Sequence, residues 1–277
     1  MPLIPREVIR QNMEYRCEER IGLNFDRDRR DDFAWTGADH GFKPKVWVEG
    51  NFEYSTDLWG NVWHRIIGLS QGGEIFKPVL ESWDRLDELK LPDLASPACY
   101  QGARDLGVSA TDKFKVGWMV GWPFAICRYM RKMEVYLMDL IECRDRIDVL
   151  HDRVTTLLER AIDRFGEAGL DGIMFCEDLG VQDRTLMSPA MWREIFRPLY
   201  ERLTARAHRH GLKVIQHSCG YNWALVDDRA KPASTVCSSI NPPCMTSRPW
   251  RPSCGNTRLV CSHPAISRRF CPRVTAG

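Results

Sequence analysis

Asp171-Gly-Ile-Met-Phe-Cys-Glu-Asp178 is a short apolar run that ends in two carboxylates. Its length and its apolar, aromatic content read as a strand of the buried type. Before it, Ile147, Leu150, Val154, Leu157, Leu158, Ala161, Ile162 and Phe165 recur at three- and four-residue spacings. That is one face of a helix, which stops near Gly166 or Gly169. After it, Ser188-Pro189 marks a second helix start, with the hydroxyl as N-cap and Pro at the first helical position. This helix turns Trp192, Ile195, Phe196, Leu199, Leu203 and Ala207 inward, is expected to kink at Pro198, and ends at Gly211. Lys213-Val-Ile-Gln-His-Ser-Cys-Gly220 is the next strand.

Working outward, Met133 to Cys143 reads as a helix, and Phe114 to Pro123 as a buried strand leading into a Gly-Trp-Pro turn. From residue 114 the order is therefore strand, helix, strand, helix, strand. Such alternation argues for parallel βαβ units, in a (β/α)8 barrel or a doubly wound sheet. Periodicity alone does not choose between them. Closer to the start, the residues from Pro5 onward form a short amphipathic helix, and Ile21 to Phe25 a short strand followed by a charged loop from Asp26 to Asp32. Tyr54 to Trp63 is aromatic and Gly-containing, and reads as loop or sheet. Leu86 to Leu94 is charged and interrupted by Pro92, and reads as a surface linker.

The whole chain has 277 residues and a formal net charge of +2. That near-neutral figure hides a seam. Residues 229–277 hold seven Arg, one Lys, and no Asp or Glu, whereas residues 1–228 hold 31 basic and 37 acidic residues. The same last 49 residues carry five of the 11 Cys and seven of the 16 Pro. Their Arg residues are scattered among Pro, Ser and Cys, without the stripe or the aromatics of a nucleic-acid-binding arm, so no nucleic-acid partner is expected. No run of 18 apolar residues exists, and the first residues lack a basic segment followed by an apolar one. A membrane partner is thus not expected, and a cytoplasmic location is. In that compartment the cysteine-rich stretch does not read as a disulfide framework.

Chemistry in either fold class gathers at the C-terminal ends of parallel strands. One such end is Cys176-Glu177-Asp178 and another is His217-Ser218-Cys219-Gly220. Residues two apart on a strand point the same way, so His217 and Cys219 can reach one ion, and imidazole with thiolate favours zinc. Glu177 shares a face with Ile173 and Phe175 and is expected to join them at the metal; Asp178 lies on the opposite face. The plainer alternative is a packed Cys beside a hydrogen-bonded His, with Glu177 and Asp178 capping a loop.

Glu177-Asp-Leu-Gly-Val-Gln182, Leu186-Met-Ser-Pro-Ala-Met-Trp-Arg-Glu-Ile-Phe-Arg-Pro-Leu-Tyr200 and His210-Gly-Leu-Lys-Val-Ile-Gln-His-Ser-Cys-Gly220 together resemble the uroporphyrinogen decarboxylase superfamily. The branch they resemble most contains zinc-dependent, corrinoid-linked methyltransferases. Pro5 to Arg10, Asp57-Leu-Trp-Gly60 and Gly121-Trp-Pro-Phe124 are similar to that branch too, and the resemblance covers roughly residues 3–228. It implies a TIM-type (β/α)8 barrel, incomplete at its C-terminal side, with the site at the barrel mouth. It implies zinc held by His217 and Cys219, with an acidic residue at the Glu177-Asp178 position in the metal shell and in the catalytic machinery. The zinc would activate a small-molecule thiol acceptor, or release methyl from a methylated donor, with a corrinoid on a partner protein. The variant reading is a tetrapyrrole decarboxylase, but the arginine pattern of those enzymes is absent from Leu23 to Arg30. There Arg27, Arg29 and Arg30 read as a solvated loop paired with Asp26, Asp28, Asp31 and Asp32.

The resemblance stops after Asp228. The family continues with further βα units and a third zinc-ligating Cys. Here the acid-free Cys/Pro/Arg stretch follows, interrupted by Ser239-Ile-Asn-Pro-Pro243, which again fits. Residues 229–277 are therefore expected to be largely an out-of-frame reading, making a non-catalytic product the third alternative. A barrel without its last units leaves strand edges open, which predicts poor folding. Spacing does not choose a third ligand among Cys244, Cys254, Cys261 and Cys271.

Overall fold

The computed structural model describes residues 2–14, 16–24, 31–70, 72–230 and 235–238. In chain order the elements are α1 (Pro5–Met13), β1 (Phe33–Gly37), β2 (Val46–Glu49), β3 (Phe52–Thr56), β4 (Val62–Ile66), β5 (Glu74–Lys77), α2 (Gln101–Val108), β6 (Phe114–Trp118), α3 (Pro123–Arg131), α4 (Met133–Glu142), α5 (Arg144–Glu167), β7 (Gly172–Cys176), α6 (Pro189–Ile195), α7 (Arg197–Arg209), β8 (Lys213–His217), α8 (Val226–Ala230) and β9 (Thr235–Ser238). The main sheet is parallel, in the order β1-β6-β7-β8-β9. Each strand sits beside the next one along the chain within that sheet. A doubly wound sheet would reverse direction. This single winding is consistent with part of a barrel wall, and the sheet of the described residues is open at β1 and β9.

The two faces of this sheet differ. Lys115, Gly117, Ile173, Phe175, Val214 and Gln216 point to the helices, where α2, α5 and α7 cover them. Phe175 stacks on Trp122 with centroids 3.8 Å apart, and Gly117 leaves room for the Phe165 ring, which a Cβ there would meet at 2.6 Å. On the other face Phe33, Phe114, Val116, Met174 and Ile215 pack against Ile9 and Met13 of α1. Helix α1 lies across the N-terminal ends of the strands. Arg6 N–H donates to Asp112 just before β6, and the Arg6 and Arg10 side chains both reach the buried Asp171 just before β7. Asp171 also accepts Lys115 N–H at 2.9 Å, so one carboxylate ties α1, β6 and β7 together.

Several sequence expectations hold as elements, and some are corrected. Residues 21–24 are not a strand; the first strand of the parallel sheet is Phe33–Gly37. Asp32 is not a solvated loop residue: it is fully buried and pairs with both Nη atoms of Arg20, at 2.6 and 2.8 Å. Asp26, Arg27, Asp28, Arg29 and Arg30 lie outside the described residues. The stretch expected as a surface linker is anchored, because Leu86, Leu89 and Leu94 are buried and Arg153 donates to the Leu86 and Leu89 carbonyls. The charges between those leucines masked their burial. At Pro198 there is a break, with α6 ending at Ile195 and α7 starting at Arg197; Pro there removes an N–H that a continuous helix needs. Ser188 caps α6 as expected, its Oγ accepting Met191 N–H.

Residues 46–77 form a separate four-stranded antiparallel meander, β2-β3-β4-β5. Gly50, with φ of 58°, supplies the left-handed position of the tight β2–β3 turn. Beyond β8 the chain stays tied to the body: Asp228 accepts from Arg193 Nε at 2.8 Å, and the buried Arg229 donates to Asn222 Oδ1 at 2.8 Å. β9 then pairs with β8 in parallel register. The rest of the basic stretch, including Asn241-Pro242, Cys244, Cys254, Cys261 and Cys271, lies outside the described residues. Among the described residues no helix is long and apolar enough to cross a membrane.

His151 on α5 is buried, its Nε2 2.6 Å from Tyr136 Oη. Burial pushes its pKa down to about 3, so the folded protein holds it neutral. The unfolded chain binds this proton first as pH falls, so stability present above the unfolded value is lost on acidification. From pH 7 to pH 5 the loss due to His151 is about 2 kcal/mol. Urea unfolding at the two pH values should show this slope, and His151→Gln should flatten it; an unchanged slope in the variant would refute the assignment.

Candidate metal centre

Strands β7 and β8 are neighbours in register, with Cys176 opposite His217, and Glu177 N–H donates to the His217 carbonyl at 2.9 Å. Their C-terminal ends therefore leave the sheet side by side, at the end away from α1. Asp178, His217 and Cys219 each bring a donor atom to one place, all within 4.8 Å of one another. His217 Nε2 lies 3.2 Å from Cys219 Sγ, and Asp178 Oδ1 accepts the Cys219 N–H at 2.7 Å. All three side chains are half-buried.

The loops after the strands are locked by two glycines. A Cβ on Gly220, where φ is 77°, would sit 2.2 Å from the Gly180 carbonyl oxygen, and one on Gly180 would sit 2.1 Å from the Tyr221 carbonyl oxygen. Only glycine lets the Asp178 loop and the Cys219 loop approach this closely. Gly220→Ala should part them and weaken metal binding by about 10–100-fold, the range seen when supports of metal ligands are lost. Competition titration against a chelating dye measures it, and wild-type affinity in the variant would show that the loop contact does not set the site.

The donor set fits zinc. It offers one imidazole nitrogen, one sulfur and one carboxylate oxygen, which leaves a fourth tetrahedral position. Zinc bonds of usual length set a nitrogen–sulfur edge of about 3.5 Å, close to the separation found. Burial lowers the His217 pKa, against the opposing pull of Asp178, so its lone pair is available at neutral pH. Burial and the Asp178 charge hold the Cys219 thiol up to about 11, a preference for the proton that a bound divalent cation would reverse.

Glu177 is not with these donors. It does share a face with Ile173 and Phe175, but that is the face toward the helices. Its carboxylate is buried, accepts the Tyr200 hydroxyl, and accepts Ala125 N–H at 3.1 Å. Burial pushes it up to about 7, opposed by Tyr200, Ala125 and Arg128. Asp178, on the other face, is the acid gathered with His217 and Cys219.

The cluster borders a cleft of about 460 Å³ whose wall includes Cys176 and Asp178. The other walls include residues that sequence reasoning did not assign to a site: Trp118 and Met119 at the C-terminal end of β6, Arg128 and Tyr129 of α3, and Trp63 from the antiparallel meander. Trp63 packs edge-on to Tyr129 at 4.7 Å and is fixed by Asp57, whose Oδ2 accepts its Nε1 at 2.7 Å. The quoted Asp57-Leu-Trp-Gly and Gly121-Trp-Pro-Phe stretches were the sequence signals nearest to this wall.

The model of the uroporphyrinogen decarboxylase (URO-D) family matches residues 66–242. No curated relative matches. Among solved structures, a methyltransferase from Methanosarcina mazei is similar at 16% identity and a TM-score of 0.48, with 60% of this chain and 49% of that one covered. The chain thus spans about half the length of that methyltransferase. The family match takes in well over half of the chain and both strand ends that carry the cluster, and on that ground the protein belongs to the uroporphyrinogen decarboxylase family.

Proposed function

We propose that this chain is an enzyme of the zinc-dependent, corrinoid-linked methyltransferase branch of its family, acting on a small-molecule thiol or methyl donor. The observation that carries the reading is the convergence of Asp178, His217 and Cys219 at the ends of adjacent parallel strands, beside a cleft large enough for a small substrate. When bound, zinc supplies a lowered pKa to a thiol at the open position, so that a thiolate nucleophile exists at neutral pH.

The chain's own residues have definite tasks in this reading. His217, held neutral by burial, offers Nε2, and Cys219 offers Sγ after giving up its proton. Asp178 supplies a carboxylate oxygen, and Cys219 N–H fixes that carboxylate's direction. Trp63, Trp118 and Tyr129 give the cleft an aromatic wall against which the apolar part of a small substrate can rest. Glu177 holds β7 to α3 and α7 from the helix side, so that Asp178 stays aimed at the cleft.

The direct test is methyl transfer between methylcobalamin and a panel of small thiols, followed by the cobalamin absorbance change. Zinc-dependent turnover that fails in Cys219→Ala is expected. Absence of transfer, together with carbon dioxide release from uroporphyrinogen, would replace the reading with the decarboxylase one. The division at residue 228, with a tail read out of frame, is proposed separately, on the end of the resemblance after Asp228 and on the loss of acidic residues with gain of Arg, Pro and Cys beyond it. Translating the coding DNA in its other two frames tests it; if neither yields a helix–strand pattern, that idea fails.

A further inference from the structure

The antiparallel meander ends on one side at β2, and among the described residues no strand pairs with the outer edge of β2. Hydrogen-bonding direction alternates along such a strand. The Lys45 carbonyl accepts Thr56 N–H at 3.0 Å, on the β3 side. Trp47 and Glu49, two and four residues on, stand opposite Tyr54 and Phe52 and face β3 as well. The N–H and C=O groups of Val46 and Val48 therefore face the open edge. The two valines are 56% and 58% exposed. An apolar edge without proline is a template for another strand. The far edge differs, since β5 begins with Glu74, ends with Lys77 and runs into Pro78.

The residues of this edge complement themselves. If a second Lys45-Val-Trp-Val-Glu49 lies antiparallel and centred on Trp47, Lys45 of each copy stands opposite Glu49 of the other, and Val46 opposite Val48. Every hydrogen-bonding group of the two valines finds a partner in that register. Lys45, Trp47 and Glu49 already share one face: Lys45 Nζ lies 5.5 Å from the Trp47 ring centroid, and Trp47 Nε1 donates to Glu49 Oε1 at 3.1 Å. Trp47 stacks on Tyr54 at 5.3 Å, and Tyr54 meets Phe76 edge-on at 5.1 Å. The aromatic layer of one sheet would continue across the pairing into the other.

We propose that two copies of this chain pair β2 against β2 about a two-fold axis at Trp47, joining their antiparallel sheets into one. The cross-copy Lys45–Glu49 contacts select this partner and this register, because a strand lacking the opposite charges at those positions meets unpaired ones. Two-fold symmetry closes the contact at two copies and prevents a fibre.

Sedimentation velocity of the full chain over the micromolar range tests the proposal, with circular dichroism to confirm that each variant is folded. Wild type is expected to form a concentration-dependent dimer. Lys45→Glu alone and Glu49→Lys alone each set like charges opposite one another and should shift the midpoint at least tenfold toward monomer. The double variant Lys45→Glu/Glu49→Lys restores opposite charges and should recover the wild-type midpoint. Val46→Lys, on the other face of the strand, should give monomer. A wild type that stays monomeric throughout overturns the proposal. So does a dimer indifferent to Lys45→Glu and Val46→Lys, which would use another surface. A double variant no better than the single ones overturns the antiparallel register.

Discussion

Replacing His217 or Cys219 with Ala should empty the metal centre. The wild-type chain is expected to hold about one zinc per chain, and either variant almost none after dialysis against a weak chelator. Each removes one of three donors gathered within 4.8 Å, and two remaining donors do not hold the ion against competition. The informative comparison is between the two acids. Asp178→Asn should weaken zinc binding sharply, because its carboxylate stands with the His217 and Cys219 donors. Glu177→Gln should keep the metal while lowering stability by about 1–3 kcal/mol, since that carboxylate is buried against Tyr200 and Ala125 on the helix side. Elemental analysis gives the stoichiometry, and cobalt substitution reports the thiolate by its charge-transfer absorption. Zinc retained in Asp178→Asn but lost in Glu177→Gln would reverse the assignment of the acid, and a wild type without zinc would remove the metal reading.

At the other end of the sheet, Asp171→Ala should destabilise the folded protein by about 3 kcal/mol. The side chain is 1% exposed and accepts Arg6 Nε at 2.7 Å, Arg10 Nη2 at 3.0 Å and Lys115 N–H at 2.9 Å. Its removal leaves the buried Lys115 N–H without that acceptor and frees α1 from the strand ends. Arg6→Ala should cost far less, about 1 kcal/mol, because Arg6 is partly solvated and Arg10 still serves the carboxylate. Urea midpoints measure both. Zinc content should be unchanged in either variant, since Asp171 and the metal cluster lie at opposite ends of β7. A change within about 0.5 kcal/mol for Asp171→Ala would mean that this carboxylate does not hold α1.

Much of the parallel sheet was legible because helix and strand periods differ and the caps are chemical. Ser188-Pro189 marked a helix start, and Ile147 to Phe165 marked a long covering helix. What escaped the sequence had particular causes. The alternation of Phe33-Ala-Trp-Thr-Gly37 was short and adjoined a charged stretch, so the first strand was placed too early. Leu86, Leu89 and Leu94 were read as solvated because charged residues separate them, though their side chains join the main apolar core, built mostly from residues far along the chain. The meander of residues 46–77 showed only as aromatic content, since its order comes from cross-strand pairing rather than from local propensity.

The cluster of Asp178, His217 and Cys219 shows the same division. The chain by itself determined that His217 and Cys219 share a face, and that Glu177 and Asp178 occupy opposite faces, because side chains alternate along any strand. Alternation carries no information on which face is covered by helices and which borders the cleft. Only the tertiary structure decided that, when α3 and α7 brought Ala125 and Tyr200 onto Glu177 and the adjacent end of β8 brought His217 and Cys219 to Asp178. A strand's two faces are equivalent until something packs on one of them.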